Sequence, residues 1–406
     1  MHELIEHFCL RRDLSTNDPY DVWAARPGQW ARRLFHVTPA LGVVPAAALT
    51  GLDLLLDPAR GRVYRKREYP AARAHAALAL IPGVERSDVR ETTACLEHLS
   101  WLSNNFSKGW EGIGWGVGFP FSVDADLSYP ADTPYTTVTA YPLEAFCEYR
   151  RVTADTRFDE VIAQVGRFFW KAIPVLEEDA VAMATAYGPL RDRVVTNAVS
   201  YTMFAHAMLH RACGGAEGED NVARVGKLYE FIRREQRPDG SWMYSPRGRS
   251  FIDCFHTCIV LKNLVKTDAI VPLGSCAEVV RRGYDYLGKT MFDERAGLFR
   301  RFAVSRRPSL VAFDLYDNAE ALGLAVMMGD LPLARTLDAA VQRRFVEGMD
   351  VFSRVSILGH RMLRNTLRWA VMPYLNALAH LRQAESSSSG AKGSPGGGID
   401  GREHHS

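Results

Sequence analysis

The chain has 406 residues, 47% of them hydrophobic, which is enough for a large core and more than one small domain needs. A net charge of +2 with 24% charged residues argues against a nucleic-acid or polyanion binder. The opening MHELIEHFCLRRDLS is acidic and has no apolar run, so no secretory signal is expected. The seven scattered cysteines then read as reduced thiols in the cytoplasm.

Residues 1–90 read as an irregular helical segment packed on the main body or completing it. Their most apolar stretch, 41–56, is too short to span a bilayer and contains Pro45 and Asp53, so it reads as a buried core helix in preference to an interfacial one. No transmembrane segment is expected. The basic run RVYRKR at 62–67 reads as a solvated turn in preference to a contact for an acidic partner. Ile81-Pro82-Gly83 marks the junction to the main body, which extends from 91 to 385.

The segment 101–121, WLSNNFSKGWEGIGWGVGFPF, sets Trp110, Trp115, Phe119 and Phe121 among five glycines without periodicity, and reads as a loop. Its aromatics either stack on sugar faces, with Trp115 the candidate, or plug the end of the fold. Gly112-Ile113-Gly114-Trp115-Gly116 is no dinucleotide fingerprint, because no strand precedes it.

From about residue 133 the pattern is helical and repeats. Small apolar helices starting near Thr137, Asn197, Phe255 and Asp317 alternate with charged amphipathic ones, and another begins at Asn365. An apolar helix is surrounded, whereas an amphipathic one faces water on one side. The spacing of near 60 residues between starts therefore predicts an all-α α/α toroid of about six hairpins, with an inner and an outer ring. Residues 386–406, SSSSGAKGSPGGGIDGREHHS, have too few apolar groups to pack and read as a disordered tail or a cloning remnant.

In such a ring the N-termini of the inner helices share one end, where helix dipoles favour an anionic ligand. Polar side chains crowd there: Tyr135, Asn197, Tyr201, Asp253, His256, Tyr316, Asp317, Glu320, Arg368 and Trp369. A buried polar group without a partner costs about 1–3 kcal/mol, so these groups cap helices, bond one another or line a wet cavity. Thr196, Asp253 and Asp317 have the chemistry of N-caps. Asp253 and His256, at i and i+3, share a face, and Asp253 can orient the imidazole as a base or acid. Cys254, His256 and Cys258 do not make up a zinc set, and His206 and His210 lack the glutamate of a metalloprotease helix; neither metal nor cofactor is expected.

Thr133-Pro134-Tyr135, Asn197-Ala198, Gln236-Arg237-Pro238-Asp239-Gly240-Ser241-Trp242 and Ile252-Asp253-Cys254-Phe255-His256-Thr257 together resemble the bacterial VpsJ-like exopolysaccharide-biosynthesis proteins. Asn17-Asp18-Pro19-Tyr20-Asp21 is similar too. The resemblance implies a six-hairpin glycosidase-like toroid related to glycan hydrolases, uronate epimerases and lyases. The chain departs from the family at Ser122 and Val123, where an Asp-Trp pair is usual, at Thr196 and Val199, and at Cys254, which raises the chance of an altered or missing activity. Gln236–Trp242 also resembles the repeat of triterpene cyclases, but Val123-Asp124-Ala125-Asp126-Leu127 does not match their acid motif.

The reading is a cytoplasmic protein that processes or binds a polysaccharide or oligosaccharide in surface-polysaccharide assembly, alongside other assembly proteins. Its sharpest form is lyase or epimerase chemistry at a uronate. Asn197 or Arg368 neutralises the carboxylate, His256 and Tyr201 exchange the proton alpha to it, and Trp115, Tyr135, Tyr316 and Trp369 contact the sugar. A hydrolase would use Asp253 and Asp317 as its acid pair. The alternatives are a non-catalytic glycan-binding or scaffold protein and an isoprenoid cyclase- or prenyltransferase-like toroid.

Overall fold

The computed structural model describes residues 2–122, 127–247, 250–305 and 309–390. Its helices are α1 (His2–Cys9), α2 (Asp21–Ala24), α3 (Arg26–Val37), α4 (Pro39–Leu55), α5 (Arg60–Val63), α6 (Pro70–Glu85), α7 (Val89–Asn104), α8 (Thr136–Thr153), α9 (Asp159–Arg167), α10 (Thr196–Cys213), α11 (Gly215–Arg234), α12 (Cys254–Asp268), α13 (Cys276–Met291), α14 (Leu315–Met327), α15 (Leu331–Phe345) and α16 (Met372–Gly390). Helices α6, α8, α10, α12, α14 and α16 each pack on the next, and α16 returns to α6. This closes an inner ring. Outside it, α7, α9, α11, α13 and α15 each pack on the preceding inner helix, and α1 takes the sixth outer place against α16 and α6. The chain is an α/α toroid.

The sequence explains which helix goes where. In α14 every residue from Asp317 to Ala325 is buried, as a surrounded helix requires. In α13 only one stripe is buried, formed by Cys276, Val279, Val280, Gly283, Leu287 and Met291. The stretch 236–242 ties this outer layer together. Trp242 Nε1 donates to the Ile232 carbonyl at 2.9 Å, and Gln236 Nε2 donates to that of Val279 at 2.9 Å. Gly240 sits at φ +93°, where a Cβ would stand 2.3 Å from the Arg282 carbonyl oxygen, so only glycine fits this turn.

Three expectations are corrected. Ile81-Pro82-Gly83 is no junction but lies inside α6, which is itself a member of the inner ring. The supposed tail begins as helix, because α16 continues to Gly390; residues 391–406 and the acid motif at 123–126 lie outside the described residues. Finally, the apolar stretch 41–56 is not a core helix: Leu41 is 65% exposed and Val44 69%. Six described cysteines (9, 95, 147, 254, 258 and 276) are buried free thiols. No single helix among the described residues is long and apolar enough to cross a membrane.

Two buried histidines couple this fold to pH. His98 Nε2 donates to the Cys9 carbonyl at 2.7 Å and its Nδ1 faces Arg73, while His206 Nδ1 meets Asn221 Oδ1 at 2.6 Å. Burial pushes both imidazoles down to about 4. A depressed folded value stabilises the native state above the unfolded value of about 6.5, and that contribution is lost as pH falls towards 4. Calorimetry is expected to show a Tm that holds above pH ~6.5 and declines below it, with proton uptake on unfolding near pH ~5. A Tm independent of pH across this window contradicts the assignment.

Candidate functional site

The starts of five inner helices, and the turn that leads into the sixth, open onto one cavity of about 830 Å³. Ala71 and His75 of α6, Thr137 and Tyr141 of α8, Asn197 and Tyr201 of α10, His256 and Ile259 of α12 and Tyr316 of α14 line it, with Arg368 and Trp369 from the turn that leads into α16. Its size falls within the roughly 300–1,000 Å³ of pockets that hold small ligands.

The start of α12 is the best-organised part. The strand Ile252–Asp253 pairs with Phe302–Val304 and delivers Asp253 as the N-cap, whose carboxylate accepts the His256 amide at 3.2 Å. The same carboxylate takes the imidazole Nδ1 at 2.8 and 2.9 Å. Asp253 is buried, whereas the His256 side chain is 18% exposed on the cavity wall. With Nδ1 held by a carboxylate, Nε2 is the nitrogen left for a ligand, in the orientation an acid–base histidine needs. The rings of Phe255 and Tyr244 stand 3.8 and 4.6 Å from that of His256, centre to centre.

Asp317 departs from expectation. The N-cap of α14 is Asp314, which accepts the Tyr316 amide at 3.0 Å. Asp317, one turn further on, accepts the Phe255 amide at 3.1 Å and so completes the cap of the neighbouring α12. It is fully buried and absent from the cavity wall. Burial, with Asp314 and Asp253 nearby, raises its carboxyl well above the usual range and outweighs Arg301 at 4.0 Å. A carboxyl enclosed away from the cavity is no partner for Asp253 in hydrolysis.

Asp314 itself anchors a cationic group. Arg301 Nη1 lies 2.7 Å and Arg354 Nε 2.9 Å from its Oδ2, and Trp369 Nε1 donates to its Oδ1 at 3.1 Å. Burial pushes this carboxyl up, but the two guanidiniums outweigh it and hold the group below the usual value. Arg301 also faces the rings of Phe255 and Trp369, at 5.3 and 5.4 Å.

Of the other expected residues, Tyr135, Asn197, Tyr201, Tyr316, Arg368 and Trp369 do reach the cavity. Asn197 Oδ1 and Tyr135 Oη are buried with no hydrogen-bond partner among the described residues. Tyr201 and Tyr141 bond through their hydroxyls, and burial raises both phenols well above 10, so each keeps its proton. Trp369 stacks on Tyr316 at 4.8 Å. Arg368 is not free, because Asp18 grips its Nε and Nη2 at 2.6 and 2.7 Å. Trp115 is corrected outright: it is fully buried, donates from Nε1 to the Leu102 carbonyl at 3.2 Å, and lies in the core. Phe119 and Phe121 of the same loop line the cavity instead.

Sequence reasoning missed Arg32, Arg193, Arg301 and Arg354 on the cavity wall, and Tyr141 and Tyr244. Tyr141 had a usable signal, one turn beyond Thr137 on a helix already assigned to the inner ring. Arg32 lies over the Phe121 ring at 4.0 Å and has no carboxylate within ion-pair distance among the described residues; Arg193 has only Asp192, at 3.8 Å. Burial, with Arg193 nearby, lowers the Arg32 guanidinium.

No family model and no curated protein matches the chain. Solved structures do match in fold. Cellobiose 2-epimerase from Bacillus thermoamylovorans aligns over 79% of this chain and 88% of its own, with a TM-score of 0.61 and 12% identity. A family 76 α-mannanase from Bacteroides thetaiotaomicron aligns over 79% and 88%, at 0.57 and 8%. A polysaccharide lyase aligns over 79% and 92%, at 0.52 and 11%. What the chain shares with these six-hairpin glycosidase-like enzymes is the α/α toroid.

Proposed function

We propose that this toroid processes a glycan that contains a uronate, by lyase or epimerase chemistry at the carbon alpha to the sugar carboxylate. The Asp253–His256 dyad, presented at the wall of the shared cavity, carries the reading. His256 Nε2 takes the alpha proton as general base. In an epimerase a phenol that keeps its proton, Tyr201, returns one to the opposite face; in a lyase the electron pair expels the linkage oxygen on the carbon beta to the carboxylate, which takes the Tyr201 proton as it leaves, and a double bond remains. Because Asp18 occupies Arg368, Arg32 and Arg193 take over the carboxylate, and Asn197 lies on the same cavity wall.

Hydrolysis is disfavoured because Asp317 is enclosed and Asp253 is committed to His256. Seven tyrosines and five arginines on the cavity wall suit a sugar better than an isoprenoid. The likeness to a cellobiose epimerase and a polysaccharide lyase supports carbohydrate chemistry. The resemblance to VpsJ-like proteins supports a place in surface-polysaccharide assembly, and the buried free thiols support a cytoplasmic setting.

The test is incubation with uronate-containing oligosaccharides in deuterium oxide. Deuterium at the alpha carbon, or a new unsaturated uronate, is the expected result. If neither forms with any uronate polymer while oligosaccharides still bind, the protein is a non-catalytic glycan binder.

A further inference from the structure

The hairpin of α3 and α4 is the anomaly of this surface. A helix at the surface of a soluble protein shows water a polar face. On α4 the exposed positions include Leu41, Val43, Val44, Leu52 and Leu54, and none of the exposed positions is ionisable. At 100° per residue they spread over roughly 220° of the helix, leaving the remaining arc against α3. Thr50, the one hydroxyl on that arc, turns back to the Ala46 carbonyl at 2.8 Å. Trp30 and Val37 of α3 extend the patch, at 62% and 60% exposure.

The segment that carries this patch is charged one-sidedly. Residues 26–67 hold eight arginines and lysines against two acids, Asp53 and Asp57, although the whole chain carries only +2. Both acids are occupied by Arg60, at 2.5 and 3.3 Å. Arg33, Arg62, Arg65 and Lys66 are exposed and form no ion pair among the described residues.

We infer that this hairpin docks the protein on an anionic membrane surface, with α4 lying in the interface and the basic residues on the lipid phosphates. At 17 residues α4 is about 25 Å long, short of the roughly 30 Å hydrocarbon core, so it lies on the bilayer and does not span it. A second copy of the chain fits less well. A two-fold contact centred on the patch brings two copies of the same basic segment together, and one protein face cannot cover so wide an apolar arc. The hairpin also reaches the cavity, since Arg32 of α3 lies on its wall with Phe121. Docking therefore brings the cavity close to glycans carried on lipid. The docking surface does not depend on the uronate chemistry.

Flotation of the full chain with vesicles tests this. Binding is expected with mixed phosphatidylcholine and phosphatidylglycerol, and weaker binding in high salt or with phosphatidylcholine alone. Val44→Glu with Leu52→Glu is expected to reduce binding at least about tenfold with an unchanged circular-dichroism spectrum, because both side chains are solvent-exposed. Arg65→Glu with Lys66→Glu is expected to weaken it about fivefold or more per residue on anionic vesicles. Absence of flotation, or flotation unaffected by both pairs, overturns the inference. So does a concentration-dependent dimer in sedimentation that the Val44/Leu52 pair abolishes, since a second copy then covers the face.

Discussion

Replacing His256 with glutamine is expected to leave the toroid folded and to lower turnover of a uronate substrate about 10²–10⁴-fold, the usual worth of a general base. The fold survives because the side chain is partly exposed and because Asp253 caps α12 through the main-chain amide of residue 256, which glutamine retains. Asp253→Asn is the companion. Asparagine caps a helix as well as aspartate does, so stability should change little, but the amide no longer fixes the proton on Nδ1. Its loss in kcat should approach that of His256→Gln, with KM nearly unchanged. Wild-type kcat/KM in both variants contradicts the dyad.

The largest stability effect is expected at Asp314. Asp314→Asn leaves Arg301 and Arg354 facing each other without their shared carboxylate, and Trp369 without a charged acceptor. Removing one partner of a buried charge cluster costs about 3–5 kcal/mol, a large part of the stability of a typical domain. The damage should spread, because this carboxylate joins the strand Val311–Asp314, the strand Asp350–Ser356, the start of α14 and the turn into α16. Urea unfolding measures it; a loss below about 1 kcal/mol shows that the arginines find other partners.

Ring architecture was legible where helices alternate between small apolar and charged composition, as α14 does with α15. It was not legible at α6, PAARAHAALALIPGVE, which is buried on every side and so shows no stripe to read. That hid the closing of the ring and set the junction inside a helix. The dyad was legible because i, i+3 spacing at a helix start fixes a shared face. Arg368 and Asp18 lie 350 residues apart, and no local pattern announces such a pair. Asp314 and Asp317 both have N-cap chemistry; Asp314 takes the cap because its strand runs straight into α14, and that strand carried no clear signal. Trp115 sat in a loop without period, so nothing gave its direction. For α4, composition spoke for burial, but among the described residues none arrives to cover its outer face.

A structure with a bound uronate oligosaccharide is the decisive test of the role of His256. The expected result is a sugar in this cavity, its carboxylate on Arg32 and Arg193 and a ring carbon within about 3.5 Å of His256 Nε2. A glycan bound elsewhere, or one whose reacting carbons all lie away from His256, contradicts it.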